Sequence, residues 1–231
     1  MKLLTLSNTK TRKGEARGYV TFILHLAPGN LSGFNVCPGA SKGCLAACLN
    51  TAGRGRFAPV QNARIAKTRR FFEDRAGFMA DLAKDIAAAV RFADRRGLGL
   101  AIRLNGTSDI RWETVPVGDH ANIMAAFPAV MMYDYTKLAN RRDLPPNYRL
   151  TFSRAEHNDA KVPNAIGAGH NVAVVFDTGK TAELPRSYRG LPVIDGDADD
   201  LRFLDPAGVV IGLRAKGSAK GDRSGFVVAA V

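Results

Sequence analysis

The 231-residue chain is short of three things: it has three cysteines, one tryptophan and, through its first 72 residues, a single acidic side chain, Glu15. An odd thiol count, with a start that turns charged too early for a secretory leader, argues against a disulfide framework. No apolar run approaches the roughly 20 residues of a membrane-spanning helix, so no membrane partner is expected. No Gly-x-Gly-x-x-Gly follows a candidate strand, which leaves a dinucleotide site unsupported. These absences lead to the expectation of a soluble cytoplasmic protein folded as one domain over residues 1–231.

The scarce thiols are gathered in one place. Cys37, Cys44 and Cys48 all fall in residues 35–57, a stretch that also holds Pro38, Gly39, Gly43, Gly53 and Gly55. Turn formers at this density suit a ligand-presenting loop better than a packed element of inert cysteines. Structural zinc uses two close cysteine pairs or a pair with spaced histidines; here no Cys-x2-Cys occurs, and His25, His120, His157 and His170 are scattered. Iron–sulfur clusters ordinarily take four thiolates. Three in one loop point to a 4Fe–4S cluster with one iron open to a further ligand, with zinc as the competing metal.

Charge concentrates around the same loop. Residues 1–72 carry twelve Lys or Arg against Glu15, a balance of +11 out of +12 for the whole chain. Arg54, Arg56, Arg64, Lys67, Arg69 and Arg70 form the part that follows the cysteines. A basic field of this size steers polyanions, so an anionic small molecule or a nucleic acid is the expected partner; a solubilising surface is the plainer alternative.

Elsewhere, short apolar runs alternate with helical stretches. The runs cover residues 19–26, 98–105, 129–135, 148–153, 171–176, 191–195, 208–214 and 226–231, several apolar at successive positions as in parallel strands buried on both faces. Helices are predicted over 59–72 and 75–96, and shorter ones over 119–127, 137–142 and 158–167. The pattern reads as an α/β fold, a partial or complete (β/α) barrel of mostly parallel strands, with a doubly wound open sheet as the alternative.

In a barrel, function collects where strands end. Those positions supply Asn105, Ser108 and Asp109, then Asp134, Tyr135 and Lys137, then Ser153 and Arg154, and finally Arg214 and Lys216, all candidates to hold a cofactor. The acidic run from Asp195 to Asp205 lacks the twelfth-position Glu of a calcium loop.

The runs CPGASKGCLAAC from Cys37 to Cys48, RLNGTSD from Arg103 to Asp109, YDYTK from Tyr133 to Lys137 and SRAE from Ser153 to Glu156 together resemble the bacteriophage proteins grouped as the gene product 88 family. That resemblance spans nearly the whole chain and implies a host-cytoplasmic location, but no activity. The chain is more distantly similar to radical S-adenosylmethionine enzymes, which place three cysteines after the first strand of a partial barrel. This second likeness implies that Cys37, Cys44 and Cys48 ligate three irons, that S-adenosylmethionine binds the fourth, and that residues 105–109 stand where that family holds the amino group. The spacing here is Cys-x6-Cys-x3-Cys rather than Cys-x3-Cys-x2-Cys, and no Gly-Gly-Glu follows the second strand, departures that weigh chiefly against cosubstrate binding. The expected function is thus an iron–sulfur protein with an open iron and a basic rim, whether or not an enzyme. The alternative is a nucleic-acid-binding phage protein whose metal, iron–sulfur or zinc, is structural or redox-sensing.

Overall fold

A computed structural model describes residues 1–6 and 13–230. Lys10 and Arg12 of the basic segment, and the last residue of the 226–231 run, lie outside them. The apolar runs form strands: β1 (Leu4–Thr5), β2 (Tyr19–Leu24), β3 (Gly99–Arg103), β4 (Met131–Thr136), β5 (Tyr148–Ser153), β6 (Asn171–Asp177), β7 (Ser187–Tyr188), β8 (Leu191–Asp195), β9 (Val210–Arg214) and β10 (Val227–Ala229). Their order across the sheet is β1-β2-β3-β4-β5-β6-β9-β8-β7. Contacts from β2 to β8 are parallel, and only the outermost pairs, β1 with β2 and β7 with β8, are antiparallel.

Among the described residues the sheet does not close, because β1 and β7 end it without pairing to each other. A complete barrel is therefore not formed. One local split positions the site. β5 pairs with β6 along Asn171–Ala173, and β10 then takes over that edge along Val175–Asp177. The C-terminal segment is thereby wedged where β5 turns away.

Two long helices follow the loop. The first, α2 (Ala58–Glu73), has a proline in its first turn, where a missing N–H costs nothing. It comes after a single turn of helix inside the loop, α1 (Lys42–Ala46). The second, α3 (Arg75–Asp94), starts on Asp74, whose carboxylate accepts from Gly77 N at 3.0 Å. Its stripe Phe78, Leu82, Ile86, Ala89 and Ala93 is buried, and it packs on Leu24, Ile102 and Met132 from one face of the sheet. The chain leaves α3 through Gly97 at φ 62°.

The shorter helices are fewer than the sequence suggests. Residues 119–127 yield one turn, α4 (Ile123–Ala126), and residues 158–167 yield a 3-10 turn and α5 (Val162–Gly167). No helix forms over 137–142. Pro145 and Pro146 stand close behind, and the residue before a proline is driven out of helical backbone. The chain instead crosses to β5 as irregular structure pinned by Arg141.

Candidate functional site

The strand ends bring one group of polar residues together beneath the cysteine loop. Asp134, at 0% exposure on β4, accepts from Asn105 N at 2.6 Å, from Asn105 Nδ2 at 3.3 Å and from Tyr148 OH at 2.8 Å. Asn105 is itself saturated: its Oδ1 accepts from Ser108 Oγ, Ile110 N and Trp112 Nε1 at 2.8 to 3.0 Å. Asp109 accepts from Lys137 N at 2.8 Å and pairs with buried Arg141 at 3.4 Å, while Arg141 also grips Glu113. Burial raises both carboxyls, Asp134 to about 7. Asn105, Ser108, Asp109 and Asp134 thus form a closed network in which each named group already has its partner. The arrangement fixes the loops above β3 and β4.

Lys137 extends the network toward the thiols. Its Nζ donates to Ser153 Oγ at 2.8 Å and to Arg154 O at 3.2 Å, and lies 5.0 Å from the centre of the Phe226 ring. Arg154 pairs with Asp159 at 2.9 Å and donates to the carbonyls of Gly225 and Phe226. Both residues therefore clamp the C-terminal wedge. Arg214 and Lys216 stand apart, paired with Asp195 and Asp197 at 2.9 and 2.6 Å. Tyr135 points to the opposite face of the sheet from its neighbour Asp134.

The loop around the thiols is held by its own bonds. Cys37 Sγ donates to Thr107 O at 3.7 Å, and Cys48 caps a 3-10 turn, its Sγ accepting from Asn50 N at 3.5 Å. Cys44 lies beside Lys137, and Gly43 N donates to Glu156 at 3.0 Å. Burial pushes all three thiols up, Cys37 to about 12. The three are free. Among the described residues, no group of three or more His, Cys, Asp or Glu side chains is gathered to hold a metal. This overturns the iron–sulfur centre, its open iron and the structural or redox-sensing metal. Ligation requires thiolates converging on one point, whereas Cys37 Sγ is turned to Thr107 O and Cys48 Sγ to Asn50 N. In the stretch 105–109, where that likeness puts the amino group of S-adenosylmethionine, Asn105 Oδ1 accepts from Ser108, Ile110 and Trp112.

The basic rim divides in two. Lys67 is buried and donates to Leu3 O at 2.7 Å; Arg64 binds Asn50; Arg70 pairs with Asp81 at 2.7 Å. These three hold the fold. Lys42, Arg54, Arg56 and Arg69 are exposed, and none forms an ion pair with a described carboxylate. Arg69 Nε donates to Ser32 O at 3.1 Å, and Arg56 lies over the ring of Phe57, which is itself 51% exposed.

The family model for gene product 88 matches residues 2–230. The chain belongs to the gene product 88 family. No curated protein and no solved structure matches it. In this member of the gene product 88 family, the sequence reading named Arg103 only as the start of the RLNGTSD run, and it passed over Thr21 and Arg141. An arginine inside the apolar run LAIRLN was the visible signal for Arg103, since a charge in a buried strand must find partners. Nothing in the sequence marked Thr21 or Arg141.

Proposed function

We propose that this gene product 88 protein binds nucleic acid, gripping the phosphate backbone of a single strand with the cysteine loop and α2. The observation that carries the reading is the set of exposed cations, Lys42, Arg54, Arg56 and Arg69, free of ion pairs with described carboxylates, one of which, Arg56, lies over the exposed ring of Phe57. A cation already paired gains little from a phosphate, whereas an unpaired one releases a counterion from the strand for each contact made. Phe57 offers a stacking surface to a base, and Arg56 over the ring adds to it. Bases carry a π-face whatever their identity, so the reading implies little sequence preference. The cysteines here shape the loop and bring no chemistry of their own.

The sequential order of β2 to β6, with the long helices on one face, supports a curled sheet of the partial-barrel kind within one domain, the loop standing at its strand-end rim. A phage-encoded member would meet its strand in the host cytoplasm. No helix of the described residues is long and apolar enough to cross a membrane. Fluorescence anisotropy with a labelled single-stranded oligonucleotide tests the reading. The double variant Arg54→Ala/Arg56→Ala is expected to bind at least about tenfold more weakly at low salt. Phe57→Ala is expected to weaken a single strand by about 1–3 kcal/mol and a duplex far less. Equal binding by wild type and both variants would remove the loop from the interface.

A further inference from the structure

The basic field of the first 72 residues has a continuation that only the fold reveals. Residues 214–223 carry four cations, Arg214, Lys216, Lys220 and Arg223, against one acid, Asp222. The first two are already engaged: Arg214 pairs with Asp195 at 2.9 Å and Lys216 with Asp197 at 2.6 Å. Lys220 and Arg223 are exposed, and neither forms an ion pair with a described carboxylate.

This segment lies against the cysteine loop at three places. Ser218 Oγ donates to Ala46 O at 2.8 Å. A Cβ on Gly217, at the head of a 3-10 turn (Gly217–Gly221), would stand 3.7 Å from Ala52 Cβ. Gly43 faces Ser224 so closely that no Cβ fits between them. Beneath the seam Ala47 of the loop packs with Ala155, Ala215, Ala219 and Phe226 in one buried cluster, mostly alanine, that lets the two backbones approach. Hydrogen bonds and packing thus fix the two segments side by side.

The free cations stand on both sides of the seam. Lys42 and Arg223 are each one residue from the contact of Gly43 with Ser224, which holds their Cα atoms to at most about 14 Å apart. Arg54 comes just after Ala52, and Lys220 closely follows Gly217. Two carboxylates also lie here, and both are turned to donors of the protein. Glu156 accepts from Gly43 N at 3.0 Å, and Asp222 accepts from Ser224 Oγ at 2.6 Å and from Val227 N at 3.0 Å. Among the described residues, neither pairs with Lys42, Arg54, Lys220 or Arg223.

We infer that a bound single strand runs across this seam, so that the C-terminal segment is the second wall of the nucleic-acid site and Lys220 and Arg223 hold phosphates beyond those held by the loop. The inference rests on the nucleic-acid reading of the loop and extends its interface. A groove that tracks a strand needs cations spread along a path rather than gathered at a point, and the seam supplies them from two segments far apart in sequence.

Salt dependence separates contact from general attraction. The four cations of the loop and α2 supply a slope of log affinity against log salt near −3 by themselves, at about −0.7 per contact. On a labelled strand of about fifteen nucleotides, long enough to cross the seam, Lys220 and Arg223 are expected to steepen it to about −4. Lys220→Ala/Arg223→Ala is expected to return the slope to near −3 and to bind about tenfold more weakly at low salt, with the wild-type Tm because both side chains are exposed. Lys84→Ala/Arg91→Ala removes two exposed cations of α3, and so the same net charge, and is expected to leave the slope unchanged. A slope in Lys220→Ala/Arg223→Ala equal to that of wild type, or an equal flattening in the α3 variant, would overturn the seam and leave the loop reading standing. A slope that Arg54→Ala/Arg56→Ala leaves intact would overturn loop and seam together.

Discussion

Asp134 shows how a residue that reads as a binding group can be spent on the fold. A carboxylate at a strand end, next to Tyr135 and three residues before Lys137, has the composition of a cofactor site. At 0% exposure with three donors on it, it instead ties β4 to the loop after β3. Asp134→Ala leaves the Asn105 N–H and the Tyr148 hydroxyl without an acceptor. At about 1–3 kcal/mol for each buried unmet donor, the variant is expected to lose about 3 kcal/mol in urea denaturation. A loss below 1 kcal/mol would mean that water reaches the site. The cysteines follow the same logic. Their spacing was legible, but whether three sulfurs converge depends on loop bonds that no spacing encodes. With burial holding the thiols protonated, iodoacetamide at pH 8 should modify the native protein at least about tenfold more slowly than the unfolded chain. Labelling at the unfolded rate would show the thiols open and ionised. Cys37, raised from 9.0 to about 12, adds stability that is fully present below pH 9 and lost as pH climbs toward 12.

At the scale of elements, the strands were readable because most are buried on both faces and so are apolar at successive positions. β7 and the described part of β1 are two residues long, too short for any pattern, and the wedge of β10 beside β6 is a matter of packing. The two long helices carried their own signals, Pro59 at one start and the four-residue stripe of α3. Leu82→Ala in that stripe is expected to cost about 3 kcal/mol, the ordinary cost of a cavity of this kind. The wedge makes a sharper prediction. A Cβ on Gly43 would stand 2.0 Å from Ser224 Oγ and 2.8 Å from Glu156 Oε1, so Gly43→Ala must push the C-terminal segment away from the loop. Amides of residues 224–229 are expected to lose hydrogen-exchange protection in that variant while those of α3 keep theirs. Unchanged protection at both places would mean that the loop and the wedge move together.

Across the whole molecule, two buried groups set opposing responses to pH. Asp134, raised from 3.8 to about 7, takes up a proton on folding within that window, so its contribution rises as pH falls from 7 toward 4. His25, lowered from 6.5 to about 3, refuses a proton that the unfolded chain accepts, so its contribution falls as pH drops below 6.5. The two slopes oppose each other between about pH 4.5 and 6.5. Wild-type stability should change little there, whereas His25→Asn should become more stable toward acid; equally flat profiles would contradict the assignment. Fold class was legible at this scale, and closure was not. Closure depends on how the last strands curl, and here β7 and β8 finish the sheet as an edge.

The asymmetry of charge is the sequence feature on which the proposed function rests, although half of the basic residues near the cysteines turn inward. The most direct test of the account is the salt dependence of single-strand binding. With four cations free of described carboxylates and a slope of about −0.7 per phosphate contact, a plot of log affinity against log salt is expected to fall with a slope near −3, reduced to about half in Arg54→Ala/Arg56→Ala. A slope indistinguishable from zero, or one that the double variant leaves intact, would contradict it.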